Sequence, residues 1–362
     1  AGKSTCFNMI TGLVDPTRLA PFVDVLPIPP VLRPEPGKPL RVRMAETTQA
    51  LHRDLPSTTL WTYGGHYPGP TIEARRGHAF DVVWENALPA RHFLPVDHAI
   101  CGAEADKPDV RAIVHLHGAK VPRKDDGYPE DWYVPGKSRR HHYPNAQDAA
   151  TLWYHDHAMG INRLNMYAGL MGLYLLRDEH ELSLGLPSGE QELPLVLADR
   201  LLRTDGRLYY PDSGDAKAPW VPEVFGNLTL VNGAILPRAE VQPRRYRLRV
   251  LNAANGRFYH LRFRDGRTFQ VIGSDQGLLA APATVTSVFM APGERMDVVV
   301  DFATLRGGSV ELMNDALPLM RFAVGQGQVR DDSRVPDVLR DLPRVTEASA
   351  SRSRELTLDE YS

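Results

Sequence analysis

Alternating apolar and polar residues predict β-strands along most of this chain. In the segment 79–85, Phe80, Val82 and Trp84 fall on one face, and a period of two is typical of a half-buried strand. The segment 245–252 repeats the pattern, with Tyr246, Leu248 and Val250 between arginines. Further strands are predicted at 71–75, 260–264, 268–272 and 296–302. Helical patterns, such as those at 148–154 and 158–167, are too short or too interrupted to dominate. The pattern indicates an all-β fold of sandwiches or barrels.

Breaks in the pattern divide the chain into four parts. Residues 1–38 are rich in proline and predict an irregular arm that wraps around the rest. A polar, turn-rich stretch at 177–194 separates a first domain, 39–178, from a second, 179–325. Residues 326–362 predict an exposed linker and the first strand of a domain that is absent from the chain.

Composition limits the partners. The chain has 362 residues, a formal net charge of −2, 30 prolines and 29 glycines, which fits short strands joined by turns. The charge balance gives no reason to expect nucleic acid or an anionic membrane as a partner. No apolar run approaches the roughly 18–20 residues of a membrane span. The two cysteines, Cys6 and Cys101, form either one bridge or two thiols.

Two His-X-His pairs are the strongest candidates for chemistry. His115 and His117 lie in IVHLHG, and His155 and His157 lie in LWYHDH. On a strand, alternation directs both imidazoles of a pair to the same face, and neighbouring strands lie about 4.8 Å apart. If these two strands are neighbours, four imidazoles surround one small volume. The spacing therefore predicts a metal site.

Imidazole suits copper, zinc, iron or nickel, and four imidazoles without a close thiolate or carboxylate favour copper or zinc. A zinc hydrolase is disfavoured because no glutamate stands at a motif position beside the pairs. His98 is a candidate outer residue of the site, and His141–His142 predicts a solvated loop. The isolated histidines are interpreted as surface or hydrogen-bonded core residues: His52, His66, His78, His92, His180 and His260.

Longer motifs resemble those of the multicopper oxidases, in particular the bacterial spore-coat (CotA-type) laccases and bilirubin oxidase-like enzymes. The motifs occur in the family's order and cover nearly the whole chain: HRDLPSTTLWTYGGHYPGPTIEARRG, HFLPVDHAI, VHLHGAKVPRKDDGYPEDW, LWYHDHAMGINRLNMYAGLMGLYLL and MAPGERMDVVVDF. The resemblance implies tandem cupredoxin-like Greek-key β-barrels and copper as cofactor. It also implies one-electron oxidation of phenolic or other aromatic substrates, coupled to four-electron reduction of dioxygen to water. A spore-coat, secreted or periplasmic location would fit the resemblance, and the compartment stays open.

The resemblance also implies roles for individual residues. His115 matches the ligand of a type 2 copper, and His117, His155 and His157 match ligands of type 3 coppers. Asp126 matches an acidic residue that relays protons near the cluster; the alternative is that it is only a turn residue before Gly127. Pro222 and Phe225, in PWVPEVFG, match part of a lid over the substrate pocket; the alternative is that this segment is a packed surface turn.

Two departures from the family pattern qualify the function. The chain contains neither an HPxHxH-type segment nor a His-Cys-His segment, and neither Cys6 nor Cys101 has histidine neighbours. We therefore expect half of the trinuclear ligands and no type 1 copper in this chain. A carboxy-terminal cupredoxin domain on a separate polypeptide or fragment would complete the site, and the isolated chain would be inactive. The alternative is a non-catalytic copper-binding β-sandwich fragment.

Overall fold

Residues 12–215 and 219–358 are described by a computed structural model, and most of their regular secondary structure is β-strand. The strands are β1 (Val31–Leu32), β2 (Leu40–Gln49), β3 (Thr58–Tyr63), β4 (Gly69–Arg75), β5 (Phe80–Ala87), β6 (Val114–His117), β7 (Ser138–Tyr143), β8 (Ala150–Asp156), β9 (Met171–Arg177), β10 (Glu192–Leu202), β11 (Leu208–Tyr209), β12 (Leu228–Val231), β13 (Ala234–Ile235), β14 (Arg238–Val241), β15 (Arg245–Asn252), β16 (Tyr259–Phe263), β17 (Phe269–Ser274), β18 (Gly277–Val285), β19 (Ser287–Met290), β20 (Arg295–Asp301), β21 (Ser309–Asn314) and β22 (Leu317–Val324). In this part of the chain two short α-helices, α1 (Asn162–Ala168) and α2 (Glu179–Ser183), interrupt them. The all-β prediction is confirmed.

Four sheets group these strands into two units. In the first unit, one sheet has the order β1-β4-β9-β8-β6 and the other has the order β3-β2-β5-β7. In the second unit, the orders are β13-β12-β10-β15-β20-β17-β18, with β11 paired to β10, and β14-β22-β21-β16-β19. The exact limits of the domains, 39–178 and 179–325, stay a prediction. No helix in the described part of the chain is long and apolar enough to cross a membrane.

One local prediction from the sequence is wrong, and one segment with a weak helical pattern is a strand. The weak helical pattern at 148–154 falls in strand β8, where Leu152, Trp153 and Tyr154 are all buried. Burial on both faces makes the strand a continuous apolar run, which periodicity does not distinguish from a helix. His141 and His142 lie in strand β7 rather than in a solvated loop, and His141 is fully buried.

The arm and the part of the linker around Leu339 are held against the two units. The arm pairs with the first unit through β1 and β4, and with the second through a bridge between Val25 and Arg238. The linker is not exposed throughout, because Leu339 is fully buried and its amide donates to the carbonyl oxygen of Ala280 at 2.8 Å. The strand predicted at the end of the chain is not formed in residues 355–358, and 359–362 lie outside the described residues.

A buried ion cluster joins the units, and it corrects the half-buried interpretation of 245–252. Arg247 and Arg249 on β15 are only 2% and 1% exposed. The guanidinium of Arg249 contacts Glu181 at 2.6 Å, Glu192 at 2.5 Å and Asp297 at 2.9 Å. The polar face that alternation predicts is therefore covered by carboxylates instead of water. Their ion pairs offset the desolvation cost of burying the arginines.

Candidate metal centre

Strands β6 and β8 bring the two histidine pairs together. They pair antiparallel, with His115 opposite His155 and His117 opposite Trp153. His157 follows directly after the end of β8, and its amide donates to the carbonyl oxygen of Ile113 at 2.8 Å.

The four imidazole rings form one compact group. From His115, the ring centroids of His157, His155 and His117 lie at 5.1, 5.4 and 5.6 Å. The ring of His155 lies 5.5 Å from those of His117 and His157. One nitrogen each from His115, His117 and His155 lies within 4.8 Å of the others, and within residues 12–215 and 219–358 no other such metal-compatible group occurs.

Backbone carbonyls fix the orientation of two rings. Since a carbonyl oxygen only accepts, the Nδ1–H of His115 donates to Asp126 at 2.6 Å and that of His155 donates to Asp156 at 2.8 Å. This leaves the Nε2 lone pair of each ring available, the arrangement found in metal-binding histidines. The Nδ1 atom of His117 lies 3.3 Å from Nε2 of His155. Two nitrogens about 2.0 Å from one tetrahedral ion would be separated by roughly that distance.

Burial lowers the pKa of three of these rings, His117, His155 and His157, which favours the neutral form that binds metals. Desolvation is the main cause that lowers the pKa of His117 to about 4, and the nearby charge of Arg295 acts in the same direction. Burial also places the pKa of His155 well below its usual value and lowers that of His157. Neutral imidazoles offer lone pairs at neutral pH, so the donor set fits copper.

Asp126 reaches the centre through a tight turn. It follows the 3₁₀ turn Arg123–Asp125 and precedes Gly127, which has φ +75°. A Cβ at position 127 would overlap the carbonyl group of Val114, so only glycine allows the turn to approach β6 so closely. The carboxylate Oδ1 of Asp126 lies 3.4 Å from Nδ1 of His115 and is buried without a hydrogen-bond partner.

Several residues at the centre were not found from the sequence. The indole of Trp153 stacks on His155, with ring centroids 4.1 Å apart, and on His117, at 5.0 Å. Arg295, from the second unit, is buried beside His117. The position of Trp153, two residues before His155, was a usable signal in the sequence. No local signal identifies Arg295, because it belongs to a strand far along the chain.

Other residues singled out from the sequence lie elsewhere. His98 bonds to the carbonyl oxygen of Ala103 at 2.8 Å and is not in the imidazole group. Pro222 and Phe225 are exposed, and the guanidinium of Arg257 lies 5.5 Å from the Phe225 ring. Cys101 is an exposed free thiol, whereas Cys6 lies outside the described residues.

The chain is similar to multicopper oxidases and laccases in sequence and in structure. Two family models, each described as multicopper oxidase, match residues 107–181 and 208–307. The chain is 42% identical to a laccase of Bacillus subtilis, over 95% of this chain and 74% of that protein. It is also 42% identical to a laccase of Bacillus stratosphericus, over 94% of this chain and 73% of that protein. The crystal structure of a laccase from Pediococcus acidilactici superposes with a TM-score of 0.76 at 28% identity, over 91% of this chain and 68% of that one.

Proposed function

This chain belongs to the multicopper oxidase family, and we propose from that premise that it contributes half of an oxygen-reducing trinuclear copper centre in a laccase-like enzyme. The enzyme would couple four one-electron oxidations of phenolic or other aromatic substrates to the four-electron reduction of dioxygen to water. Copper, when bound, supplies the redox chemistry. The protein supplies the ligands, their orientation and the protons.

The main support is the group of four imidazoles at the ends of β6 and β8. His115 would hold a type 2 copper, and His117, His155 and His157 would hold type 3 coppers. Strand-borne ligands whose rings bond to backbone carbonyls change position little between redox states, which favours rapid electron transfer. Neutral ligands would leave the positive charge of bound copper uncompensated, so the site would attract anions.

Asp126 is suited to hold a proton beside this centre. Its Oδ1 atom is buried and unpaired and faces the His115 ring at 3.4 Å. A carboxylate at this position would take up a proton from solvent and hold it beside the centre, and reduction of dioxygen to water requires protons. We assign this relay to Asp126.

An aromatic reductant would bind near the exposed segment 219–226. Phe225 presents its ring to solvent beside the guanidinium of Arg257, and Pro222 lies on the same surface loop. Stacking on Phe225 would favour planar aromatic substrates. We assign Pro222 and Phe225 to a lid over the substrate.

The other ligands would come from outside this sequence. His-Cys-His is absent from the chain, so no cysteine is set to hold a type 1 copper. We propose that a carboxy-terminal cupredoxin domain supplies the type 1 site and the remaining trinuclear ligands, as part of the same protein or as a separate polypeptide.

The test is a copper titration of the 362-residue chain, followed by electron paramagnetic resonance (EPR) and assay with a methoxylated phenol. We expect nitrogen-ligated Cu(II) without intense blue absorption, and no turnover until a polypeptide with His-Cys-His is added. Turnover by the chain alone would contradict the proposed division of ligands. Absence of copper binding that depends on His117 and His155 would contradict the proposed centre.

A further inference from the structure

Asp156 lies between His155 and His157 in the sequence, and its side chain points away from their rings. Alternation sends its side chain to the opposite face of β8, where it is completely buried. A buried carboxylate is costly unless hydrogen bonds compensate for the lost water.

Three N–H groups from different parts of the first unit surround this carboxylate. Its Oδ1 accepts from the amide of Ile113 at 3.0 Å, and its Oδ2 accepts from the amide of Ala158 at 3.1 Å. Oδ2 also accepts from Nδ2 of Asn165 in α1 at 2.8 Å. Both oxygens are therefore paired, and the bonds connect the residue before β6, the residue after His157, and the helix.

His157 needs such support more than the other three histidines do. His115, His117 and His155 lie inside paired strands, where the ladder of hydrogen bonds sets their register. His157 lies one residue beyond β8, and its amide bonds to the carbonyl of Ile113. The Asp156 carboxylate binds the amide of that same Ile113 and the amide of Ala158. It thereby fixes the chain on both sides of His157 relative to β6.

Asn165 holds the carboxylate in turn. Its Nδ2 also donates to the carbonyl oxygen of Arg111 at 3.0 Å, and its Oδ1 accepts from Nε2 of His92 at 3.2 Å. Asn165 is fully buried, so its amide has little freedom to rotate.

We propose that Asp156, held by Asn165, is the positioning residue that fixes His157 in place beside the other three imidazoles of the proposed copper centre. This inference rests on the proposed copper centre and deepens it. Asp156 touches no metal in this arrangement and acts only through the backbone.

The decisive variant is Asp156→Asn, which keeps the shape of the side chain but turns one acceptor into a donor that faces another N–H group. We expect Cu(II) affinity, measured by chelator competition, to fall about 10- to 100-fold, with an altered EPR spectrum. Amide hydrogen exchange of the copper-free protein should accelerate at His157 and Ala158 but not within β6. This second measurement does not depend on copper.

Asp199→Asn is the matched control. Asp199 is a buried carboxylate in the second unit that accepts from the amide of Gly226 and from Nε of Arg257. We expect it to lower the melting temperature comparably while copper affinity and exchange at His157 stay as in the unmodified protein. If Asp156→Asn does not fold, Asn165→Ala removes one of the three donors, and a loss of several-fold in affinity is expected.

Wild-type copper affinity together with wild-type exchange at His157, in Asp156→Asn or Asn165→Ala, would overturn the proposal. A failure of the copper centre itself gives a different result: His117→Ala and His155→Ala would then bind copper as the unmodified chain does. In that case accelerated exchange at His157 would still support the positioning role, and unchanged exchange would refute it.

Discussion

The guanidinium of Arg295, in the second unit, donates through Nε to the backbone carbonyl oxygen of Thr151 at 3.1 Å. Thr151 lies in β8, the strand that carries His155. The same guanidinium donates to the carbonyl oxygens of Gly293 and Asp275 at 2.7 and 3.0 Å. The second unit is therefore bonded directly to the strand that carries His155.

Replacement of Arg295 by methionine should destabilise the protein. Three carbonyl groups would lose a donor where water has little access, and we expect the free energy of unfolding to fall by about 3 kcal/mol. Urea denaturation measures this. Arg330→Met is the control, since that side chain is 86% exposed and its ion pair should contribute less than about 0.5 kcal/mol. Equal stabilities of the two variants would refute the role of Arg295.

His117→Ala and His155→Ala should lower copper affinity non-additively. The facing nitrogens of the two rings are 3.3 Å apart, which suits binding to one ion. Each single substitution should weaken Cu(II) binding by at least about 10-fold, and the double variant should lose less than the product of the two effects. Isothermal titration with chelator competition measures the copper affinities of the wild type, the two single variants and the double variant. His142→Ala, an exposed histidine paired with Asp81, serves as control. Strictly multiplicative losses would indicate separate sites.

Gly127→Ala and Gly136→Ala should differ although both glycines have positive φ, +75° and +82°. A Cβ at 136 meets nothing within 4 Å, so alanine there costs only the backbone strain of about 1 kcal/mol. At 127 the Cβ overlaps the Val114 carbonyl group, which should add about 2 kcal/mol. Thermal unfolding separates the two, and Gly127→Ala should also weaken copper binding, because the turn carries the carbonyl of Asp126 to His115. Equal losses of stability in the two variants would show that β6 shifts to accommodate the Cβ at position 127 without a cost in free energy.

Acid should destabilise the copper-free protein through His141. Burial is the main cause that lowers its pKa from 6.5 to about 4, so between these values the unfolded chain binds more protons than the folded one. The contribution of His141 is therefore constant above pH 6.5 and falls as the pH drops towards 4, by at most about 3 kcal/mol.

His141→Phe is the variant that isolates this effect. Burial also lowers the pKa of His117, His155 and His157, which titrate in the same sense as His141, whereas burial raises the pKa of Asp156 to about 7, and it titrates in the opposite sense. The absolute pH profile therefore mixes several groups. The difference between the unfolding free energies of wild type and His141→Phe, measured by urea denaturation from pH 7 to 4, should change in favour of the variant as the pH falls. A pH-independent difference would mean that His141 does not titrate as proposed.

Local pattern was informative where a residue's neighbours in sequence decide its environment. The strand at 79–85 and the arrangement of His115 and His117 on one face follow from alternation alone. The same rule failed for Arg247 and Arg249, since it separates two faces but does not say what covers the polar one. It failed for His141 because the packing of β7 against the first unit, not its sequence neighbours, buries that ring.

The sequence by itself determined the all-β fold, the family resemblance and the four histidines. Only the tertiary structure decided that β6 and β8 are neighbours with His115 opposite His155, that Asp156 anchors the chain around His157, and that Arg295 supports β8. The physical reason is that strand pairing and buried hydrogen bonds join residues far apart in the chain. Which residues pair in this way depends on the geometry of the whole fold, and a local pattern of apolar and polar residues does not contain that information.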